Sequence, residues 1–395
     1  MNNIEKKQLI LNPTENFPEL LYKPSKDLIE GLYIDDLIDS SDDLLSKTVL
    51  FSGHHQYQEK IKKAQEDWCK LLHADHLSLR LLSGLHAHTV VFMGIGKIGD
   101  TVLLLPSEAG GHHSAEKILK RLGYKILKMV VDYENRCIDI PSTIKIIQQY
   151  KPEFIFIDRS DGLNYENFST LTSVCNSCNI FDASQYLTHI ISGQYESPFD
   201  MGFQFILSTL HKNFPGPQKA LICSKGGEKY WNRIMLGINN YISSAHPASI
   251  IHAGNLIENH LEYIKLYGKL MLQNTEALEK GLRKYNVPMI ERNPDLPITQ
   301  QIWIPCASSH YAFQHFQQFE KYNILLNYRQ LAYRLGYGLR IGTAAATLCG
   351  LRPKHCNQLA YYMSNIFNDE DSSSLQKEIE KFIGSIWLEG GILYD

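Results

Sequence analysis

One lysine of this chain lies in a setting suited to covalent chemistry. Lys212 belongs to the segment Ser208-Thr209-Leu210-His211-Lys212, which follows a short apolar run, Phe203 to Leu207, and precedes a Pro/Gly turn. Its neighbours are hydroxyl groups and a histidine rather than carboxylates. An amine at a strand end can be desolvated enough to form a Schiff base with a carbonyl compound. A lone His-Lys pair is more often part of a surface loop, so the assignment depends on the rest of the chain.

A carboxylate ends another predicted strand upstream of this lysine. Asp182 follows the apolar run Asn179 to Phe181. A carboxylate there can keep the nitrogen of a pyridine ring protonated, which makes the ring an electron sink. Alone, Asp182 would be interpreted as a helix cap. An Asp and a Lys on adjacent strand ends indicate a cofactor site instead.

Two further motifs are suited to binding anions. Ser83-Gly84-Leu85 begins a predicted helix, where free backbone N–H groups and the helix dipole favour a phosphate. Arg340 lies in a predicted strand, and a guanidinium can bind a carboxylate through two parallel hydrogen bonds. A structural ion pair is the alternative for Arg340.

Together these motifs resemble those of the serine hydroxymethyltransferase family, which are pyridoxal 5′-phosphate (PLP) enzymes of fold type I. The lysine segment is similar to the family's Thr-Thr-His-Lys-Thr-x-x-Gly-Pro. Three other segments match family motifs: Gly110-Gly111-His112, residues 338–343 (Gly-x-Arg-x-Gly-Thr) and Asn12 to Phe17. The matches run in the family's order from residue 10 to residue 367. The resemblance implies an α/β fold with a mainly parallel sheet in a large domain and a smaller C-terminal α/β domain.

The resemblance also implies a role for each matching residue. Lys212 would carry PLP as an internal aldimine, Asp182 would bind the pyridine nitrogen, and His112 would stack on the ring. Arg340 and Thr14 would bind the carboxylate of an amino-acid substrate. The remaining expected cofactor contacts are Ser83, Gly84, Gln185, Ser208, Thr209, His211 and Ser244. No metal is expected.

The chain departs from the family where the family handles the substrate hydroxyl and folate. Ser46 to Gly53 lacks the family's tyrosine and glutamate, and Asn327-Tyr328-Arg329 replaces a folate-side Asn-Lys-Asn. Near the cofactor, Leu85 replaces a phosphate-binding hydroxyl, and Gln185 replaces a titratable group. Asn213 replaces the hydroxyl residue after the lysine. The cofactor and carboxylate groups are therefore kept while the hydroxyl and folate groups are changed.

Three functions remain open on this basis. The first is a folate-independent aldolase or transaldolase that acts on a β-hydroxy-α-amino acid or glycine through a quinonoid, with an aldehyde as second substrate. Thr209, His211 or a water would then act as the base near the β-oxygen. The second is an aminotransferase or another reaction at the α-carbon. The third is a PLP-binding protein without turnover, which the combination of Lys212, Asp182 and Arg340 disfavours.

Composition and charge are those of an ordinary soluble protein. A formal net charge of −3 gives no basic excess for nucleic acid, and no apolar run is long enough to span a membrane. The polar N-terminus does not resemble a signal peptide, and the eight cysteines are scattered. The close pair Cys175 and Cys178 lies in a predicted helix, Leu171 to Cys178, where packing is favoured over a redox or zinc role. A cytoplasmic enzyme is expected.

Short apolar strands alternate with helical patterns from residue 60 to residue 225. This alternation predicts a mainly parallel sheet covered on both faces, with ligands beyond the carboxyl ends of its strands. The expected organisation is an N-terminal arm (1–45), a PLP-binding domain (46–280) and a small domain (281–395). A homodimer is expected, in which the arm and Ser243 to His246 reach the partner's cofactor.

Overall fold

The computed structural model describes residues 8–11, 55–242, 245–368 and 373–388. The strands within these ranges are β1 (Leu9–Ile10), β2 (His76–Leu81), β3 (Thr101–Leu104), β4 (Lys125–Lys128), β5 (Val131–Asp132), β6 (Cys137–Ile138), β7 (Phe154–Asp158), β8 (Cys178–Asp182), β9 (Phe205–Thr209), β10 (Ala220–Ser224), β11 (Gln301–Cys306), β12 (Ile324–Leu325), β13 (Asn327–Gln330) and β14 (Tyr337–Gly342). The helices are α1 (His55–Leu71), α2 (Gly84–Ile95), α3 (Ala115–Arg121), α4 (Ile140–Tyr150), α5 (Ser169–Thr172), α6 (Leu187–Ile191), α7 (Glu228–Tyr241), α8 (Pro247–Lys284), α9 (Ser309–Lys321), α10 (Ala344–Leu348), α11 (Pro353–Phe367) and α12 (Ser373–Leu388).

The central sheet is mainly parallel, as predicted. In the described chain it has seven strands in the spatial order β2-β10-β9-β8-β7-β3-β4. Strands β9, β8, β7, β3 and β4 pair in parallel, whereas β10 is antiparallel to both β9 and β2. The carboxyl ends of the parallel strands therefore meet at one edge, where a ligand site is expected.

Both faces of the sheet are buried, which explains why its strands are continuously apolar. Alternate residues point to opposite faces of a strand. Ile155 and Ile206 belong to a core that includes Trp68 of α1 and Ile250 of α8. Their neighbours, such as Phe156, belong to a second core formed with α2 and α7. The two layers of helices hold the strand ends, and hence the site, in a fixed arrangement.

A second sheet, β11-β14-β13, is antiparallel and lies in the C-terminal part of the chain. Its core includes Leu278 and Leu282 from the end of α8, and also Leu9 of β1, which pairs in parallel with Ile324 of β12. The expected boundary at residue 280 thus falls inside α8, and the domain limits stay predictions.

Several predicted elements differ from the observed ones. The predicted helix Leu171 to Cys178 is wrong, because only α5 is helical and Cys178 begins β8 as the partner of Phe154. The predicted strand Tyr124 to Val131 is two strands, β4 and β5. Strand β9 ends at Thr209 rather than at Leu207. In each case the pairing of neighbouring strands decides the limits, and local sequence cannot show it. No described helix is long and apolar enough to cross a membrane.

Candidate active site

A cavity of about 210 Å³ lies at the carboxyl ends of β7, β8 and β9. Most of the residues predicted for the site line this cavity, namely Ser83, Gly84, His112, Asp182, Gln185, Thr209, His211 and Lys212. Ser208 is buried, and its hydroxyl donates to the carbonyl oxygen of Thr209 at 3.0 Å. Thr14 and Ser244 lie outside the described residues, as does the segment 46–53.

The loop that carries Lys212 is fixed at both ends and in the middle. The N–H of Leu210 donates to the carbonyl oxygen of Lys219 at 2.8 Å, and Gly216 donates back to Leu210 at 2.7 Å. The fully buried Asn213 accepts a hydrogen bond from the N–H of Thr188 at 2.7 Å and another from its hydroxyl at 2.8 Å. Asn213 is therefore an anchor of the lysine loop on α6, a role that the sequence did not indicate.

Asp182 is buried at the end of β8 and is held by two donors. Its Oδ1 accepts from the N–H of Ser184 at 2.8 Å, and its Oδ2 accepts from His88 Nε2 at 2.7 Å. Burial pushes the pKa of Asp182 upward, but the hydrogen bond and charge of His88, the hydrogen bond from Ser184 and the charge of Lys212 together outweigh burial, and the pKa is lowered. The side chain is thus an oriented carboxylate that can bind a protonated nitrogen.

The start of helix α2 and Thr209 also line the cavity. Ser83 caps α2, and its hydroxyl oxygen accepts from the N–H of His86 at 3.4 Å. A Cβ on Gly84 would lie 3.0 Å from Cγ2 of Thr209, so helix and strand approach closely here. Within the described chain the buried Oγ1 of Thr209 has no hydrogen-bond partner. An anion at this helix start would receive both backbone N–H groups and this hydroxyl.

Two of the three histidines that line the cavity, His112 and His211, are neutral at pH 7. Burial, followed by the charge of His88, lowers the pKa of His112 to about 4. Burial, followed by the charge of Lys212, lowers the pKa of His211 to about 4 as well. Nδ1 of His112 accepts from the N–H of Ser114 at 3.2 Å, and Nδ1 of His211 accepts from the N–H of Lys219 at 3.3 Å. In each ring the remaining proton is therefore on Nε2.

Arg340 is buried in β14 and does not line the cavity. It forms an ion pair with Asp161, which lies on the loop after β7 and also pairs with Arg329 at 3.0 Å. Burial lowers the pKa of Arg340 to about 10. From the sequence, a structural ion pair was the alternative to substrate binding by Arg340, and this ion pair is present. Its Nε remains without a hydrogen-bond partner among the described residues.

Two residues that line the cavity, His88 and Asp158, were not predicted from the sequence. Asp158 ends β7 and lies opposite Asp182 in the parallel register. The argument used for Asp182, a carboxylate at the end of an apolar strand, would have found it. His88 lies one turn into α2, and its sequence context gave no sign that it faces the strand ends.

The sequence profile of the family "Serine hydroxymethyltransferase" matches residues 51–363. The chain belongs to this family. The family was predicted from the motifs, and the prediction is confirmed. As a family member the chain is a PLP-dependent enzyme, so the predicted cofactor is confirmed too.

Individual members of the serine hydroxymethyltransferase family are distant from this chain. The serine hydroxymethyltransferase of Pyrobaculum aerophilum is 26% identical over 330 residues, which are 80% of this chain and 76% of the relative. That of Pyrococcus horikoshii is 25% identical over 338 residues, 80% of this chain and 78% of the relative. The crystal structure of L-threonine transaldolase from Pseudomonas fluorescens superimposes with a TM-score of 0.85 at 17% identity, covering 96% of this chain and 88% of that one. This likeness shows the fold, which is the predicted fold type I.

The cavity has groups that fit PLP at each of its polar ends. The unpartnered hydroxyl of Thr209 and the start of α2 suit the phosphate, and the oriented carboxylate of Asp182 suits the ring nitrogen. Lys212 lines the same cavity and offers the amine that PLP requires.

Proposed function

We propose that this family member cleaves or forms the Cα–Cβ bond of a β-hydroxy-α-amino acid, or transfers the fragment to an aldehyde, without folate. The observation that carries the proposal is the composition of the cavity. It keeps Lys212, Asp182 and His112, while the only carboxylates among its described lining residues, Asp158 and Asp182, both lie against His88. Neither is left to act on a substrate hydroxyl.

PLP, when bound, supplies the electron sink that stabilises negative charge at the α-carbon. In the proposal Lys212 attaches the cofactor, Asp182 binds the ring nitrogen and His112 covers a ring face. Ser83, Gly84 and Thr209 bind the phosphate, and Gln185 and His211 contact the cofactor from the sides of the cavity. The lowered pKa of Asp182 supports its role at the ring nitrogen, because an ionised carboxylate can bind the protonated nitrogen.

Arg340 is proposed to bind the substrate carboxylate. Asp161 contacts Nη1 of the guanidinium, and the buried Nε is without a partner among the described residues. The Nε edge is the one that binds a carboxylate side-on through two hydrogen bonds. Asp161 would then fix the guanidinium while leaving this edge to the substrate.

The tautomers of His112 and His211 limit which group can accept the proton of the substrate β-hydroxyl. His112 and His211 each use Nδ1 as an acceptor, so each presents an Nε2–H donor. A donor can hold the substrate oxygen but cannot take its proton. Of the three candidates from the sequence, His211 is therefore disfavoured and Thr209 is assigned to the phosphate, so a water molecule remains.

We further propose a cytoplasmic homodimer as the working form. The eight cysteines are free thiols, which suits a reducing compartment. The substrate would be a small amino acid, with an aldehyde as the second substrate of a transfer reaction.

The test is an assay of aldehyde release from threonine, allo-threonine and serine, each with and without tetrahydrofolate. We expect release from at least one of the first two substrates at a rate that tetrahydrofolate does not change. Lys212→Ala is the control and should abolish release. Serine turnover that requires tetrahydrofolate would overturn the proposal. Amino-group transfer to an added keto acid, with no aldehyde, would indicate an aminotransferase, and PLP binding with no turnover would indicate a non-catalytic protein.

A further inference from the structure

Three buried side chains that line the cavity are grouped around one imidazole ring. His88 of α2 lies between Asp182 at the end of β8 and Asp158 at the end of β7, and their exposed fractions are 3%, 4% and 7%. Nε2 of His88 is 2.7 Å from Oδ2 of Asp182, and Nδ1 is 3.7 Å from Oδ2 of Asp158. Both nitrogens of one imidazole therefore face a carboxylate.

The contact between His88 and Asp158 contains no hydrogen bond in the described chain. Nδ1 of His88 and Oδ2 of Asp158 have no hydrogen-bond partner in the described chain, although they face each other. A separation of 3.7 Å is too long for a hydrogen bond but suits an ion pair. Two buried polar atoms without partners are costly, and a proton on His88 offsets this cost by making the contact an ion pair.

We propose that Asp158 and His88 together hold one dissociable proton beside Asp182, and that Asp158 thereby extends the pH range over which the PLP ring nitrogen stays protonated. Both are positioning residues, since they act through Asp182. The inference rests on the proposed function in one respect, which is that Asp182 faces the ring nitrogen.

The charges around His88 determine whether the pKa of its ring is raised or lowered. Burial lowers the pKa of His88, but Asp158 and then Asp182 outweigh burial, and the pKa is raised. Burial raises the pKa of Asp158. Lys212 is the cation that acts on all three groups, and the neutral ring of His112 lies 6.3 Å from that of His88.

The dissociable proton shared by His88 and Asp158 therefore determines the total charge of His88, Asp158 and Asp182, which together form the trio. With the proton on His88 or on Asp158, the three side chains carry one negative charge in total. After its loss at higher pH they carry two negative charges, which favours the protonated ring nitrogen further. Without the carboxylate of Asp158, the trio has at most one negative charge at high pH and none while His88 is protonated. At no pH does such a variant hold the ring proton more strongly than the wild type.

The first experiment measures the histidine in the apoprotein. Ring ¹⁵N resonances of labelled histidine are followed against pH in the wild type, with His88→Asn to assign the His88 signals. We expect the titration midpoint of His88 in the wild type to lie above the ordinary pKa of histidine. In Asp158→Asn this midpoint should fall by roughly one pH unit or more, because an opposite charge at this distance shifts a pKa by about that amount. His76→Asn, which removes a histidine paired with Glu228 outside the cavity, should leave the His88 midpoint unchanged.

The second experiment uses the holoenzyme with PLP labelled by ¹⁵N in the ring. The midpoint for loss of the ring-nitrogen proton should be lower in Asp158→Asn than in the wild type, and lower still in Asp182→Asn. If Asp182→Asn shifts the midpoint but Asp158→Asn does not, this inference is overturned and the proposed function stands. If Asp182→Asn leaves the midpoint unchanged, the assignment of Asp182 in the proposed function fails, and this inference fails with it. A His88 midpoint that is unaffected by Asp158→Asn would overturn the coupling directly, and Asp158→Glu should restore it.

Discussion

The hydroxyl of Thr209 illustrates how a single atom indicates a ligand. It is buried, lines the cavity and lacks a hydrogen-bond partner in the described residues. A buried hydroxyl left unsatisfied destabilises the protein that carries it. Its retention next to the start of α2 is explained if the hydroxyl binds the phosphate of PLP.

We expect Thr209→Val to weaken PLP binding without destabilising the apoprotein. Valine has the shape of threonine, and the hydroxyl that it removes makes no hydrogen bond in the described chain. A hydrogen bond to a charged group is worth about 1.5–3 kcal/mol, so the dissociation constant for PLP should rise by at least roughly tenfold. Fluorescence titration of the apoprotein gives the constant, and denaturant unfolding gives the stability.

Thr172→Val is the matched control for this substitution, because the hydroxyl of Thr172 donates to carbonyl oxygens of Ser169 and Met201 away from the cavity. It should lower stability and leave PLP affinity unchanged. PLP affinity that is equal in wild type and Thr209→Val would show that this hydroxyl does not bind the cofactor.

The individual residues of the site were predictable to different degrees. Lys212 and Asp182 could be found because each follows a short apolar strand, and parallel strands bring their carboxyl ends together. Asp158 has the same signature and was overlooked. His88 could not be found this way, because its role depends on how deeply α2 packs against the strand ends. The neutral state of His112 and His211 also depends on burial, which is a property of the folded chain.

At the scale of elements, the antiparallel pair β13 and β14 brings two arginines to one carboxylate. Asn327 at the start of β13 lies opposite Arg340 of β14, and Arg329 follows two residues later. Both guanidinium groups pair with Asp161, on the loop after β7 of the other sheet. Two cations share one anion, so the cluster has a surplus positive charge that a substrate carboxylate could balance.

Arg340→Lys should weaken substrate binding while the protein remains folded. Lysine keeps a positive charge near Asp161 but loses the Nε edge that binds a carboxylate side-on. We expect a loss of roughly 2–4 kcal/mol in substrate affinity, the range for disrupting a buried charged hydrogen-bonded pair. Spectral titration of the holoenzyme with the amino acid identified in the cleavage assay measures this loss.

Arg283→Lys, at an exposed ion pair with Glu291, is the control and should bind substrate as the wild type does. An unchanged titration curve for Arg340→Lys would remove Arg340 from the substrate site and leave it the structural ion-pair role alone.

The limits of the elements were less predictable than their order. The alternation of apolar strands and helices was sufficient to predict a mainly parallel sheet, because a sheet buried on both faces needs continuous apolar strands. The segment Leu171 to Cys178 was predicted to be helical from its own sequence. Pairing of Cys178 with Phe154 on the neighbouring strand overrides that local preference.

At the scale of the whole molecule, a role of Ser243 to His246 at the partner's cofactor stays a prediction. Residues 243 and 244 lie outside the described chain, but the residues on either side of them accept hydrogen bonds from buried basic side chains. Arg80 donates to the carbonyl oxygen of Ile242 at 3.4 Å, and the fully buried Lys219 donates to that of Ala245. Leu236 and Tyr241 on the preceding helix α7 are exposed apolar side chains that a second subunit could cover.

We expect the active holoenzyme to be a homodimer. If Ser243 to His246 reaches the phosphate of the partner's PLP, dissociation of the dimer should also weaken PLP binding. Light scattering at assay concentration, combined with PLP titration over a range of protein concentrations, tests both points. An active monomer with full PLP affinity would rule out a shared site.

The central claim is that Lys212, at the carboxyl ends of the parallel strands, is the residue that attaches PLP. The most direct measurement is borohydride reduction of the holoenzyme, followed by proteolysis and mass mapping of the peptide that carries the cofactor. We predict that the label is on the peptide containing Lys212, and that Lys212→Ala takes up no label there or elsewhere. Labelling of another lysine, such as the buried Lys219, would contradict the assignment of the site.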